Sequence, residues 1–311
     1  MPHMRTSQIA AAAILSGALI CAAATTQPAE VKKLDGVQYL PQGRTQTMWL
    51  RIPAEAGPEK RLPAILITPG GGWGNHFGSK YVATAEMLAG WGYVVAVIDY
   101  QIVSDQARGV NYLRNMSDSF PQCLHDCKTA VRFLRHNAEK YGIDPEKIGV
   151  LGSSAGGHLA AMTAVTQAKD GLEPANDGLG NVSSAVQACV SYYGAHDWNT
   201  WGFKKGAALS DDDKQDQSRG STVQWVDKGD PPMLVIHGDR DKTVPVAQSR
   251  ALAAKLKEAG AVFEYWEVPG AGHGSCLNGK IKGEEERVRA FLDTHLNGAG
   301  KAAGAGAGRS K

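Results

Sequence analysis

The sequence predicts an α/β protein with a mostly parallel central sheet and helices on both of its faces. Two observations lead to this class. Several short apolar runs lie between turn residues without polar alternation, which is typical of strands buried on both faces. These runs alternate along the chain with stretches of helical length and pattern, which favours repeated strand–helix–strand units.

The elements follow in order from this pattern. In the first half we expect an edge strand at 47–52, a buried strand at 63–68, a helix at 79–90, a strand at 93–98, a helix around 125–141 and a strand at 147–151. In the second half we expect a helix at 155–167, strands at 186–193 and 233–237, a helix at 246–258, a strand at 263–268 and a closing helix at 284–295.

The N-terminus has the composition of an export signal. A basic start at Arg5 precedes an apolar run at 9–20 and an Ala22-x-Ala24 cleavage pattern, so residues 1–24 are expected to be removed and the protein to be secreted or periplasmic. A membrane anchor is the alternative, but the run is shorter than the roughly 20 residues that span a bilayer. Lipid attachment at Cys21 is a second alternative.

The remaining chain is expected to form one domain at 25–297, followed by a disordered Gly/Ala/Lys tail at 298–311. A polar, irregular stretch at about 198–230 reads as an insertion over or beside a site, or else as a solvated surface loop.

Charge and cysteine content limit the partners. A net charge of +2 gives no basic field for nucleic acid or an anionic membrane, so a small neutral or weakly charged substrate fits better. Removal of the signal leaves Cys123, Cys127, Cys189 and Cys276. Cys123 and Cys127 could form a disulfide or remain as thiols. We expect no cofactor, and no specific set of metal ligands is present.

A candidate nucleophile lies at Ser154. Residues 152–156 read Gly-Ser-Ser-Ala-Gly, with an apolar strand before them and an Ala/Leu-rich helix after them. Such a strand–turn–helix raises the serine hydroxyl on a sharp, strained turn, and flanking glycines let strand and helix pass closely beneath it. Ser153 is the rival nucleophile, but it lacks glycine at both flanking positions.

The partners of such a serine follow in chain order as acid and then histidine. Asp239 and Asp241 follow the strand at 233–237, and Asp241 is preferred because it lies deeper in the loop. Only His273 and His295 lie beyond it. His273 occupies a Gly-rich loop directly after a strand, whereas His295 belongs to the closing helix, so His273 is the expected general base.

A Gly-rich loop after the strand at 63–68 is a candidate oxyanion site. Gly71 and Gly72 there, together with Ala155 after the nucleophile, are expected to offer backbone N–H groups to a developing negative charge. A phosphate loop would need a following Gly-Lys-Ser/Thr, which is absent.

Four stretches, at 130–135, 141–148, 152–160 and 237–245, make the chain similar to the esterase and lipase branch of the α/β-hydrolases. The resemblance covers roughly 63–295 and is to bacterial carbohydrate esterases and feruloyl or acetyl esterases, often grouped with hormone-sensitive-lipase-like enzymes. It implies an α/β-hydrolase fold with Ser154, Asp241 and His273 as catalytic triad. Pro69 stands where that group usually has His before the glycines.

The expected function is therefore a secreted serine esterase that hydrolyses short-chain carboxylic esters through an acyl-enzyme. The resemblance favours acyl groups on carbohydrate, including polysaccharide, as substrate. Nucleic acid and stable membrane insertion of the mature chain are not expected. The alternatives are a serine peptidase of the prolyl-oligopeptidase type and a non-catalytic binding protein with the hydrolase fold.

Overall fold

An eight-stranded sheet organises the chain in the computed structural model, which describes residues 30–75, 78–103, 119–201, 211–274 and 279–298. The strands lie in the order β1-β2-β4-β3-β5-β6-β7-β8. Strand β2 pairs antiparallel with β1 and with β4, and all other neighbours are parallel. The predicted α/β class and mostly parallel sheet are confirmed. The strands are β1 Val31–Gln38, β2 Thr47–Pro53, β3 Leu62–Thr68, β4 Val94–Ile98, β5 Ile143–Ser153, β6 Ala188–Tyr192, β7 Met233–Gly238 and β8 Phe263–Val268.

The burial of the interior strands explains why their continuous apolar runs could be recognised in the sequence. Every residue of β3, β4, β6 and β7 is buried, because helices cover both faces of this part of the sheet and both sets of alternating side chains must be apolar or small. The predicted strand positions agree with the structure to within a few residues.

Strand β1 was not predicted, and the prediction that β2 forms an edge was wrong. Strand β1 carries Lys32, Lys33 and Asp35 among its apolar residues and buries none of its side chains fully. It pairs with β2 from Val31–Pro53 to Gln38–Thr47. An edge strand with one solvated face has no continuous apolar run to reveal it.

The helices form two layers. One apolar core receives Leu88 from the helix at 82–90 and Phe291 from the helix at 284–292. The other core receives Leu124, Leu159 and Leu252 from the helices at 122–136, 155–165 and 247–259. The predicted helix around 125–141 begins earlier and is divided in two. The helices are α1 Val82–Gly90, α2 Gln122–His136, α3 Ala138–Tyr141, α4 Ala155–Val165, α5 Asp211–Gly220, α6 Ala247–Ala259 and α7 Glu284–Leu292; short 3-10 turns cover Gly78–Tyr81, Ala168–Asp170 and Thr222–Gln224, and a π-turn covers Asp293–Asn297.

Part of the polar insertion is packed against the rest of the domain, while other described residues in it, such as Ser218, are exposed. Trp198, Ser221 and Thr222 are fully buried, and the Gly220 carbonyl lies 2.7 Å from Nε2 of His158 in α4. Edge-to-face contacts join Trp198 to Trp73 at a centroid distance of 5.9 Å. The reading of a solvated surface loop is therefore wrong for these residues; residues 202–210 lie outside the described part of the chain.

Three of the cysteines are buried free thiols: Cys123, Cys127 and Cys189. The two in α2 form no disulfide with each other; instead the Cys127 thiol donates to the Cys123 carbonyl oxygen at 3.2 Å. Burial raises the pKa of the Cys123 thiol to about 12. Cys21 and Cys276 lie outside the described residues.

The expected signal at 1–24 and most of the expected tail also lie outside the described residues. Within the described ranges, no helix combines the length and the apolar character needed to cross a membrane.

Candidate active site

The turn between β5 and α4 holds Ser154 in an unusual backbone conformation. Ser154 has φ 57° and ψ −124°, a region that costs a residue with a Cβ about 1–3 kcal/mol. Its amide donates to the carbonyl oxygen of Tyr192 at the end of the neighbouring strand β6, at 2.9 Å. The sheet thus fixes the strained turn and presents the serine hydroxyl above its carboxyl edge.

Close backbone packing beneath the turn explains the two glycines that flank it. A Cβ on Gly156 would overlap the carbonyl oxygen of Thr68, and one on Gly152 would overlap the carbonyl oxygen of Gly156. The Thr68 hydroxyl donates to that same Gly156 oxygen at 2.8 Å. Strand β3, the turn and helix α4 therefore meet at distances that only glycine allows.

The structure brings the three predicted triad residues together. His273 Nε2 lies 3.0 Å from Ser154 Oγ, and His273 Nδ1 lies 2.7 Å from Asp241 Oδ2. Asp241 follows β7 and His273 follows β8, so both loops leave the same edge of the sheet. Because an ionised carboxylate only accepts hydrogen bonds, Nδ1 carries the proton and Nε2 is left to accept the serine proton.

The Asp241 carboxylate is completely buried and strongly hydrogen-bonded. Its Oδ1 accepts the amides of Thr243 at 2.8 Å and Val244 at 2.9 Å. Burial alone would raise the pKa of Asp241, but the interactions with His237, His273 and the Val244 amide outweigh it and hold the pKa well below its ordinary value. Asp241 therefore stays ionised beside His273.

Asp239, the alternative acid, is directed elsewhere. It is exposed, and its Oδ1 accepts the amide of Gly270 at 2.6 Å. Its role is to brace the loop that carries His273. His295 likewise lies away from the triad, in the π-turn at the end of α7, where its ring packs against Phe291.

The Gly-rich loop after β3 faces the serine across a pocket of about 390 Å³, whose lining includes Gly71, Gly72 and Ala155. Gly71 has φ 142° and Gly72 has φ 60°, conformations that disfavour residues with a Cβ. Ala155 is the first residue of α4, and the first amides of a helix have no acceptor within it. Gly71 and Gly72 thus border the same pocket as the start of α4, whose N–H groups can interact with a negative oxygen.

The pocket walls include residues that sequence reasoning did not select. The Tyr193 ring packs against His273 with a centroid distance of 4.6 Å. The Tyr81 hydroxyl accepts the amide of Gly70 at 3.0 Å. Only the folded chain brings these tyrosines to the serine, so no local motif could reveal them. The remaining side chains of the lining come from Trp73, Asn75, Ser153, Trp201, Thr243 and Val244.

Within the described ranges, no group of three or more His, Cys, Asp and Glu side chains is arranged to bind a metal ion. The chemistry that the arrangement does allow is nucleophilic attack by a serine, with a histidine to take its proton and backbone amides to hold an oxyanion.

Comparison with known proteins agrees with this geometry. Residues 50–256 match the BD-FAE family. Esterase LipQ of Mycobacterium tuberculosis is 30% identical over 273 residues, which cover 82% of this chain and 61% of LipQ. The chain thus spans less than two thirds of the length of that relative.

Solved structures give a fuller overlap. A truncated carbohydrate esterase from gut microbiota superposes with a TM-score of 0.71 at 25% identity, over 87% of this chain and 98% of that one. Propionate-bound esterase 2 of Thermogutta terrifontis superposes with a TM-score of 0.67 at 27% identity, over 91% of this chain and 97% of that one. The chain belongs to the BD-FAE family, in the esterase group of the α/β-hydrolases.

Proposed function

We propose that this protein is a serine carboxylic ester hydrolase in which Ser154 is the nucleophile, His273 the general base and Asp241 the acid that orients it. One observation carries the proposal: the His273 ring spans Ser154 Oγ at 3.0 Å and Asp241 Oδ2 at 2.7 Å. Both distances lie within hydrogen-bond reach, as proton transfer requires. The esterase relatives support the same chemistry.

The reaction proceeds through an acyl-enzyme. His273 Nε2 takes the Ser154 proton as Oγ attacks the acyl carbon, and then gives that proton to the departing alcohol. Water then enters, loses a proton to the same nitrogen and attacks the acyl carbon, and His273 returns that proton to Ser154 Oγ as the bond to the acyl group breaks and the acid leaves. Asp241 stabilises the imidazolium throughout and does not itself become protonated.

Backbone amides of Gly71, Gly72 and Ala155 stabilise the oxyanion of each tetrahedral intermediate. The lining of the pocket by all three residues supports this assignment. Donors fixed by the backbone need no reorganisation during the reaction, and loss of one such donor typically lowers kcat about 100-fold or more.

The substrate we propose is a short acyl group esterified to carbohydrate. A pocket of about 390 Å³ is at the small end for a ligand site, which favours a short acyl chain. Its walls combine aromatic rings, Tyr193 and Trp201, with polar side chains such as Asn75 and Thr243. The carbohydrate esterase and the propionate-bound esterase among the similar structures support both halves of this substrate.

Hydrolysis of a series of nitrophenyl esters from acetate to octanoate tests the reaction and the acyl preference. We expect activity that falls with chain length and disappears in Ser154→Ala. The matched control is Ser218→Ala in α5, an exposed serine, which should retain wild-type activity. Acid release from acetylated xylan then tests the carbohydrate half.

Two outcomes would overturn the proposal. Cleavage of prolyl peptides with no ester turnover would assign the triad to a peptidase. Binding of acylated carbohydrate without turnover of any ester or peptide would assign the fold to a binding protein.

We also propose that the protein acts outside the cytoplasm, with the mature chain beginning after Ala24. The basic start at Arg5 and the apolar run at 9–20 support this. N-terminal sequencing of the protein recovered from cell fractions tests it: a chain beginning at Thr25 in the periplasm or medium is expected, and an intact Met1 in the cytoplasm would contradict it.

A further inference from the structure

A second histidine, His237, lies close to the Asp241 carboxylate of the proposed triad. His237 lies at the end of β7, and its side chain is fully buried. Its Nε2 lies 2.9 Å from the carbonyl oxygen of Val244 and 3.3 Å from Asp241 Oδ2. Oδ2 is the oxygen that holds His273. Oδ2 of Asp241 therefore lies close to ring nitrogens of two different histidines, Nε2 of His237 and Nδ1 of His273.

The position of one proton on His237 follows from its partners. A backbone carbonyl oxygen can only accept a hydrogen bond, so the Nε2 that faces Val244 must carry hydrogen. In the neutral ring Nδ1 is then an acceptor, and the Ser249 hydroxyl in α6 lies 2.7 Å from it. The Val244 carbonyl thus selects the tautomer with hydrogen on Nε2, and the Ser249 hydroxyl, which can donate to Nδ1, is compatible with it.

We propose that His237 is a positioning residue for the Asp241 carboxylate, with Ser249 fixing the orientation of its ring. A chain of contacts then runs from Ser249 through His237, Asp241 and His273 to Ser154. This inference rests on the proposed function, because the geometry that His237 maintains is that of the proposed triad.

The contacts of His237 restrain Asp241 in two ways. The Nε2–H group donates to the Val244 carbonyl at 2.9 Å and, with Nε2 3.3 Å from Oδ2, also interacts with the carboxylate as a three-centre donor. Val244 in turn donates its amide to Asp241 Oδ1 at 2.9 Å. His237 therefore holds both the carboxylate and the turn that cradles it, and an error of about 1 Å at such a site can lower a rate about 100-fold.

Other charged or titratable groups act on the His237 ring from neighbouring elements. Glu267 on β8 and His196 after β6 interact with it electrostatically. The Tyr193 ring packs edge-on against it at a centroid distance of 6.3 Å. These groups stay in place when His237 is replaced, so a changed pH profile would report the contact with Asp241.

The test uses two substitutions of His237 in the full-length chain and one matched control. His237→Phe keeps a ring but removes Nε2–H, whereas His237→Gln carries an amide N–H to about the position of Nε2. His196→Phe removes another fully buried histidine, whose ring contacts Ser191 and Thr222 instead of the triad. We expect His237→Phe to lower kcat about 10- to 100-fold with little change in KM. His237→Gln should recover most of that loss.

The pH profile separates positioning from packing. Loss of the N–H leaves more negative charge on Asp241, which stabilises protonated His273. The acid limb of kcat/KM should therefore move to higher pH in His237→Phe and stay unchanged in His196→Phe. Equal losses of kcat in the two variants with unmoved acid limbs would overturn the proposal.

A spectroscopic measurement makes the inference independent of turnover. The proton shared by His273 Nδ1 and Asp241 should give a far-downfield proton resonance, and we expect its position to change in His237→Phe and in Ser249→Ala. A wild-type protein without esterase activity, but with this resonance shifted in both variants, would overturn the proposed function and leave the positioning role standing. If His237→Phe does not fold, an unchanged resonance in Ser249→Ala would overturn the positioning role.

Discussion

The hydroxyl oxygen of Tyr81 lies 2.6 Å from that of Ser153, the residue directly before the proposed nucleophile. The same hydroxyl accepts the amide of Gly70 at 3.0 Å. Tyr81 therefore ties the Gly-rich loop after β3 to the turn after β5. One side chain therefore fixes the position of the oxyanion loop relative to the turn that carries the nucleophile.

Tyr81→Phe should consequently lower kcat by about tenfold, less than the roughly 100-fold loss for a direct oxyanion donor, because the loop loses a restraint and keeps its amides. KM should change little. The control is Tyr141→Phe, since Tyr141 is buried, packs against Phe133 and is not part of the pocket lining. Steady-state kinetics of both variants check the prediction, and equal losses would contradict it.

Gly156→Ala should destabilise the protein by about 1–3 kcal/mol or more, because the added methyl group must displace the backbone of β3. Gly90→Ala is the matched control: a Cβ at Gly90, at the end of α1, meets nothing within 4 Å. Denaturant unfolding of the two variants measures the difference. Similar free energies of unfolding would mean that the close approach at Gly156 is not real.

Ser154→Gly should be more stable than Ser154→Ala, although both lose the nucleophile. The backbone at this residue has φ 57°, and glycine adopts such a conformation without the strain of about 1–3 kcal/mol that a Cβ brings. The greater freedom of glycine in the unfolded chain offsets about 0.5–1 kcal/mol of this gain. Thermal unfolding should give Ser154→Gly the higher Tm, and the opposite order would argue against strain at the turn.

Asp230→Asn should change how stability depends on pH. Burial raises the pKa of Asp230 to about 7, above the value of about 4 in an unfolded chain. Between these values the folded state binds the extra proton, so the contribution of Asp230 to stability falls as pH rises through this window and is level above it. The variant should therefore gain stability relative to wild type between about pH 5 and about pH 8.

Urea unfolding at the two pH values measures this gain. Glu86→Gln is the control, because a hydrogen bond from Lys33 lowers the pKa of the Glu86 carboxyl and Glu86 is not among the groups that act on Asp230. The titration of Glu86 then lies below the window, so the difference of this variant from wild type should not change across it. Parallel behaviour of the two variants would contradict the prediction.

Local sequence patterns predicted the buried strands of the sheet and the turn at Ser154 well. The buried strands have continuous apolar runs because both of their faces are covered, and the turn at Ser154 needs glycines that can be read directly from the sequence. The prediction of Ser154, Asp241 and His273 as a triad depended on chain order, on loops that follow predicted strands and on the family resemblance, and the structure brings the three side chains together. Their catalytic roles stay predictions until activity is measured.

The features that sequence reasoning missed depend on contacts between distant residues. Strand β1 has one solvated face, so its polar residues hide it. Helix α5 is polar, and it is fixed by the burial of Gly220 and Trp198 against each other. Sequence reasoning gave His237 no catalytic role. Its place beside Asp241 becomes visible only when the turn after β7 folds back over the strand.

The backbone turn at Ser154 also has a kinetic consequence. The Ser154 amide donates to the Tyr192 carbonyl oxygen, and the Ser154 hydroxyl contacts His273, 119 residues further along the chain. Beneath the turn, the Thr68 hydroxyl donates to the carbonyl oxygen of Gly156, 88 residues further along the chain. Because contacts of such long sequence separation form late, the turn should mature only after the strands on either side have paired. During synthesis or refolding, helical content should therefore recover before the serine becomes reactive, and covalent labelling of Ser154 would time the last step of folding.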